Sequence, residues 1–244
     1  MSDHFLSHSN SFGFEMGKDA AGCRAFNRNF IVGGEKMEYS HKELRQEMVD
    51  ICLESLHEGL FTGTSGNLSV SLGDGTMLIT PTSVRYTVMR PVDIVRCDLD
   101  GHVLEGELRP SSEWRMHAEV YRACPQLGAL FHTHSPYATA FAINHMRIPA
   151  VLYEMVFFLG GDIPVAEGAI PGTPEVGENC VPVLKERNGC LMANHGALAV
   201  GDTLDRAYTR AVYIEDAAKA YSVALTHGKT YEIGAEAENE IRAR

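Results

Sequence analysis

From residue 40 onward the apolar positions of this chain fall into two rhythms. Leu44, Met48, Ile51, Cys52 and Leu56 recur at the spacing of one helix face, and Gly59 is a stop. Ser40 followed three residues later by Glu43 has the form of a capping box, so the helix is expected to open on Ser40. The rhythm then changes to alternation. Leu68, Val70 and Leu72 interleave with Asn67, Ser69 and Ser71, Gly73-Asp74-Gly75-Thr76 turns the chain, and Met77–Thr80 returns as the second strand of a hairpin. A second pair is expected at Ile94–Leu99 and Val103–Glu105, joined at Asp100-Gly101.

Pro110-Ser111-Ser112 opens a helix that places Glu113 just inside it and runs to about Cys124. Leu127–Thr133 reads as a strand, followed by a short Ala-rich helix from Tyr137. Thr173-Pro174 opens a further helix that Gly189 ends, and Cys190–Ala193 and Ala197–Val200 read as short strands around His195-Gly196. A final long helix is capped near Asp202 or Thr203 and stops at Gly228. Hairpins interspersed with helices predict one domain, a largely antiparallel sheet covered by helices. Residues 1–38, rich in Ser, Asn, Gly and Phe, lack such periodicity and read as an extension, either flexible or ordered against a neighbouring subunit.

Composition narrows the function classes. The 244 residues are 45% hydrophobic and 22% charged, ordinary for a globular protein with a substantial core. A net charge of -11 without any Lys/Arg block argues against nucleic acid or anionic membranes as partners, while a small phosphorylated ligand needs only a local pocket of N–H groups. Six scattered cysteines without a Cys-x-x-Cys pair read as buried hydrophobes in a reducing compartment. With no signal-peptide core and no membrane-length apolar run, the expected location is the cytoplasm.

The residues with chemistry are few. In His132-Thr133-His134, side chains two apart on a strand share a face, so both imidazoles can reach one ion; two polar residues on a solvated face would look the same. His195, beside a Gly196 that permits a sharp turn, completes a three-histidine set, the pattern of an open catalytic zinc site; alone it reads equally as a core histidine bonded to a carbonyl. Glu113 and the hydroxyls of Ser111 and Ser112 sit at a helix start, where they serve as dipole partner and caps, or as acid/base and anion site. Gly63-Thr64-Ser65-Gly66-Asn67 and Thr80-Pro81-Thr82-Ser83 are polar loops able to turn or to cradle a phosphate.

Taken in order, Gly63–Ser69, Leu78–Thr82, Pro110–Arg115, His132–His134 and Asn194–Gly196 resemble the class II aldolase/adducin family over roughly residues 40 to 228, and the Ser-Ser-Glu-Trp-Arg block is shared with its fuculose-phosphate aldolase branch. The resemblance implies a three-layer α/β/α domain with a central, mainly antiparallel sheet, spanning 39–244. It implies a zinc ion (Mn2+ or Co2+ as alternatives) on His132, His134 and His195, with Glu113 as acid/base that also touches the metal when substrate is absent. Gly66, Asn67, Thr82, Ser111 and Ser112 match positions that hold the substrate phosphate; Ser83 replaces a glycine beside it, and Pro171 replaces an aromatic. Tyr153 matches a proton donor contributed by a neighbouring subunit of a cyclic homotetramer, and Tyr231 is the candidate for a C-terminal tyrosine.

The implied reaction is reversible cleavage of a ketose 1-phosphate, either L-fuculose 1-phosphate or a 5-deoxypentulose or methylthioribulose 1-phosphate, to dihydroxyacetone phosphate and an aldehyde. No lysine lies in the matching blocks, so no Schiff base is called for. The alternatives on the same scaffold are a methylthioribulose-1-phosphate dehydratase, which also keeps three histidines and a Glu, and a pentulose-phosphate 4-epimerase, whose branch carries Asp in place of Glu113. A non-catalytic, adducin-like interaction module would lack the metal ligands.

Overall fold

The computed structural model describes residues 39–243, and the extension read at 1–38 lies outside them. Eight strands form one sheet in the order β4-β3-β2-β1-β5-β8-β7-β6. They are β1 (Asn67–Ser71), β2 (Thr76–Ile79), β3 (Val95–Asp98), β4 (Val103–Glu105), β5 (Ala129–Thr133), β6 (Val165–Ala166), β7 (Gly189–Met192) and β8 (Gly196–Gly201). Every neighbouring pair is antiparallel except β6 and β7. The expected hairpins are present; β6 was not expected, because two residues carry no period.

Strand alternation sorts the core into two layers. On β5, Ala129 and Phe131 face one side, with Leu68, Val70, Ala197 and Ala199 from its neighbours. They pack against α1 (Lys42–Glu58), α3 (Pro136–Ile143) and α5 (Leu204–Thr226). Leu130 faces the other way with Ile79, Leu198 and Val200, under α2 (Trp114–Ala123) and α4 (Glu175–Leu184). The result is the expected three-layer α/β/α domain around a mainly antiparallel sheet. His132 continues the Leu130 face of β5, so it emerges beneath α2.

Three boundaries differ from the sequence reading, two of them for a tertiary reason. α1 begins at Lys42 after a left-handed His41 (φ 54°), not on Ser40. Ser40 instead gives its N–H and hydroxyl to Glu105 at 2.8–3.0 Å, where Arg45 and Arg96 also converge. That partly buried, charge-assisted assembly displaces the local box with exposed Glu43. Glu113 precedes α2 rather than lying inside it. α4 ends at Leu184, and Gly189 opens β7: a Cβ there would meet Ile214 Cδ1 at 2.6 Å, so this glycine serves close packing under α5 rather than helix termination. A further helix, α6 (Ala235–Arg242), follows α5.

The five described cysteines are free and buried, as expected. No helix among the described residues is long and apolar enough to cross a membrane.

Candidate metal centre and active site

Three segments far apart in sequence deliver imidazoles to one point. β5 ends by presenting His132, and His134 follows one step beyond the strand. His195 stands in the tight β7–β8 turn, entered through Asn194 in the left-handed region (φ 57°). The next residue must be glycine, since a Cβ on Gly196 would lie 2.3 Å from the Thr133 carbonyl and 3.2–3.3 Å from the rings of His134 and His132. The three rings stack edge to face with centroids 4.7–5.1 Å apart.

His132 Nδ1 donates to the Ala197 carbonyl at 2.9 Å, which orients the ring and turns Nε2 toward the cluster. That nitrogen is 2.8 Å from His134 Nε2. Burial, reinforced by the neighbouring His132 and His195, pushes the His134 imidazole down to about 4, so it stands in the neutral form that binds metals.

The fourth group is Glu113, 8% exposed, brought in from above by the start of α2. Its Oε2 lies 3.1 Å from His132 Nε2 and its Oε1 3.0 Å from His195 Nε2. The second contact lacks hydrogen-bond geometry, so Oε1 is buried without a donor aimed at it. Burial alone would raise this carboxyl, but the adjacent His132 and then His195 outweigh it and hold it well below the usual carboxylate range. Three imidazole nitrogens and a carboxylate oxygen, all within 4.8 Å of one another, form a candidate site for a cation. The donor set and the orphaned oxygen both fit one: three imidazoles and a carboxylate packed together, with one oxygen lacking a protein donor, suit a cation between them.

Behind Glu113 the polar side chains continue. Asn67 Nδ2 donates to Glu113 Oε2 at 2.8 Å, and Asn67 Oδ1 meets His117 Nε2 at 2.5 Å. His117 Nδ1 meets Ser69 Oγ at 2.6 Å, and Ser69 Oγ meets Tyr121 OH at 2.9 Å. His117 and Tyr121 were not singled out from the sequence. Their signal was there: 113, 117 and 121 are spaced by one helical turn, and 67 and 69 share a strand face.

The loop residues expected to hold a phosphate gather at the same end of the sheet. Gly66 (φ 84°) runs against His132: a Cβ would lie 3.0 Å from the His132 carbonyl and 2.5 Å from the Phe61 ring. The Thr80–Ser83 and Arg109–Ser112 loops are strapped together by Ser111 N–H to the Thr80 carbonyl (2.9 Å) and Thr82 N–H to the Arg109 carbonyl (3.1 Å). Ser111 is buried and its Oγ accepts from the Glu113 N–H at 3.3 Å; Ser112 and the left-handed Ser83 (φ 61°) are exposed. Asn67 differs from the rest, because its amide is already engaged by Glu113 and His117 and one N–H is left. Tyr153 is 60% exposed and Tyr231 75% exposed, and no hydrogen bond among the described residues ties either to the histidines. Pro171 is also exposed, next to a Gly172 carbonyl that accepts from Arg115 at 3.3 Å.

Residues 46–222 match the family model described as the class II aldolase and adducin N-terminal domain. The chain belongs to this family. It is 39% identical to the 5-methylthioribulose-1-phosphate/5-deoxyribulose-1-phosphate aldolase of Rhodospirillum rubrum, over 76% of this chain and 83% of that one. It is also 39% identical to the L-fuculose phosphate aldolase of Escherichia coli K12, over 75% and 84% of the two chains. Among solved structures, an L-fuculose 1-phosphate aldolase superposes with a TM-score of 0.79 at 34% identity, covering 83% of this chain and 95% of its own. Class II aldolases depend on a metal ion, and this member carries the donors for one.

Proposed function

We propose that this protein is a metal-dependent aldolase that reversibly cleaves a ketose 1-phosphate to dihydroxyacetone phosphate and an aldehyde. The observation that carries the reading is the convergence of His132, His134 and His195 with a carboxylate whose Oε1 has no protein donor. The three histidines would hold the ion, with Glu113 beside it; zinc suits three imidazoles best, and Mn2+ or Co2+ suit the same donors. A divalent cation supplies Lewis-acid stabilisation of the negative charge that develops as the carbon–carbon bond breaks.

The chain's own residues do the rest. Cleavage takes the proton of the C4 hydroxyl, breaks the C3–C4 bond to release the aldehyde, and leaves its electron pair in an enediolate at C2–C3. One proton leaves the C4 oxygen and one is gained at C3: Tyr153 from a neighbouring subunit would take the first, Glu113 would deliver the second, and exchange with solvent would return each side chain to its starting state. Gly66, Asn67, Thr82, Ser83, Ser111 and Ser112 would hold the phosphate through N–H groups and hydroxyls, the last two at the start of α2. Similarity to aldolases named for 5-deoxyribulose, 5-methylthioribulose and L-fuculose phosphates supports a small deoxy- or thio-substituted sugar phosphate as substrate. A homotetramer with sites at its interfaces and a cytoplasmic location complete the reading.

The test is to incubate the metal-replete protein with dihydroxyacetone phosphate and, separately, lactaldehyde, acetaldehyde, methylthioacetaldehyde or glycolaldehyde. Formation of a ketose 1-phosphate with at least one of them is expected. Absence of any aldol product, or loss of water from methylthioribulose 1-phosphate in its place, overturns the proposal.

A further inference from the structure

The side chains behind Glu113 admit only one arrangement of protons. The carboxylate only accepts, so the Asn67 amide must turn its Nδ2 to Glu113 and its Oδ1 to His117. Oδ1 also only accepts, so His117 Nε2 carries a hydrogen. His117 has no exposed surface, and burial followed by the nearby His132 lowers it to about 3, so the ring is neutral and Nδ1 is bare. Ser69 must then donate to Nδ1, and with its single hydrogen spent it accepts from the Tyr121 hydroxyl. Each link is 2.5–2.9 Å long, and each donor points toward Glu113. Ser69, His117 and Asn67 are at most 4% exposed.

We propose that His117 is a positioning residue for the aldol reaction: through Asn67 it fixes a donor on Glu113 Oε2, so that this oxygen is held as an acceptor and Oε1 alone is left for the reacting groups. The inference rests on the aldolase reading for its kinetic consequence, but not for the proton arrangement. Without His117 the Asn67 amide is free to rotate about its last bond and turn Oδ1 toward the carboxylate, which would swing Glu113 out of register. Partners of this kind, one shell removed from a metal site, are worth about 10–100-fold in activity.

Two substitutions separate positioning from bulk structure. The amide nitrogen of glutamine reaches about where imidazole Nε2 lies, whereas that of asparagine reaches only Nδ1. H117Q should therefore keep kcat within about fivefold of the wild type, and H117N should lose about 10–100-fold in kcat with metal content intact. Equal loss in both variants, or loss in neither, overturns the proposal. Nitrogen-15 spectra of histidine-labelled wild-type protein test the arrangement without turnover: His117 should be the neutral Nε2–H tautomer from pH 6 to 9. An Nδ1–H tautomer or a doubly protonated ring overturns it, whether or not the variants fold. Should the wild type make no aldol product, the proposed function falls and the tautomer alone decides the chain.

Discussion

Glu113 occupies a position where a carboxylate is expensive to bury and is buried all the same, 8% exposed against two imidazoles. Its neighbours are arranged to keep it ionised, and no lysine or arginine is paired with it among the described residues. Its Oε1, buried without a donor aimed at it, is the atom left open to a reacting group. Glu113→Gln preserves size and the hydrogen bond from Asn67 while removing the transferable proton. Metal analysis of this variant should show the ion still bound, because three imidazoles remain, and kcat should fall about 10²–10⁴-fold. Turnover close to wild type would remove Glu113 from the reaction.

At the scale of elements, the site is an outcome of register. His132 pairs with Asn67 on one side and Leu198 on the other, so β1, β5 and β8 must align within one residue for Asn67, Glu113 and the histidines to meet. The alternation that sets this register is written in the chain, which is why β1, β2, β5, β8 and the long α5 were legible as patterns. What was not legible depends on partners distant in sequence. Ser40 looks like a cap until Glu105 is beside it, Gly189 looks like a stop until α5 lies across it, and the two residues of β6 become a strand only against β7. Within the site, the histidines and Glu113 were readable as a set, while His117 looked like one more polar residue on an amphipathic helix.

The Glu105 assembly makes a stability prediction of its own. Burial works against its charge, but the Ser40 N–H and the Arg96 and Arg45 guanidiniums overcome that and lower the carboxyl to about 2. A depressed acid contributes stability above its unfolded value near 4.5, and that contribution is lost as pH falls from there toward 2. Glu105→Gln should lower stability near pH 7 on the order of 1 kcal/mol after solvent screening, and should flatten the loss below pH 4.5. Urea unfolding at a series of pH values measures both; parallel acid limbs for the two proteins would refute the assignment.

For the whole molecule, the placement of Tyr153 is the informative point. It is exposed at 60%, while Glu113 and the three histidines come together within one chain. If a neighbouring copy uses that tyrosine, two defective chains can repair each other. Mixing Glu113→Gln with Tyr153→Phe subunits under dissociating conditions and reassembling them should restore activity at about a quarter of the sites, those that draw an intact residue from each parent. Reassembled mixtures no more active than the parents would place the whole reaction within one chain.

The ends of the sheet have a consequence for solubility. Among the described residues, one edge is β4, three residues long, with Glu105 drawn into a cluster of charges; the other is β6, two residues long and preceded by Pro164. A strand this short offers a second chain few backbone groups to pair with, and a charge or a proline at its border interrupts any extension. An eight-stranded sheet is wide enough to template fibrils, yet here each flank stops before a foreign strand could gain a foothold. Changes that lengthen β4 or replace Pro164 are therefore expected to favour aggregation even where the active site is untouched.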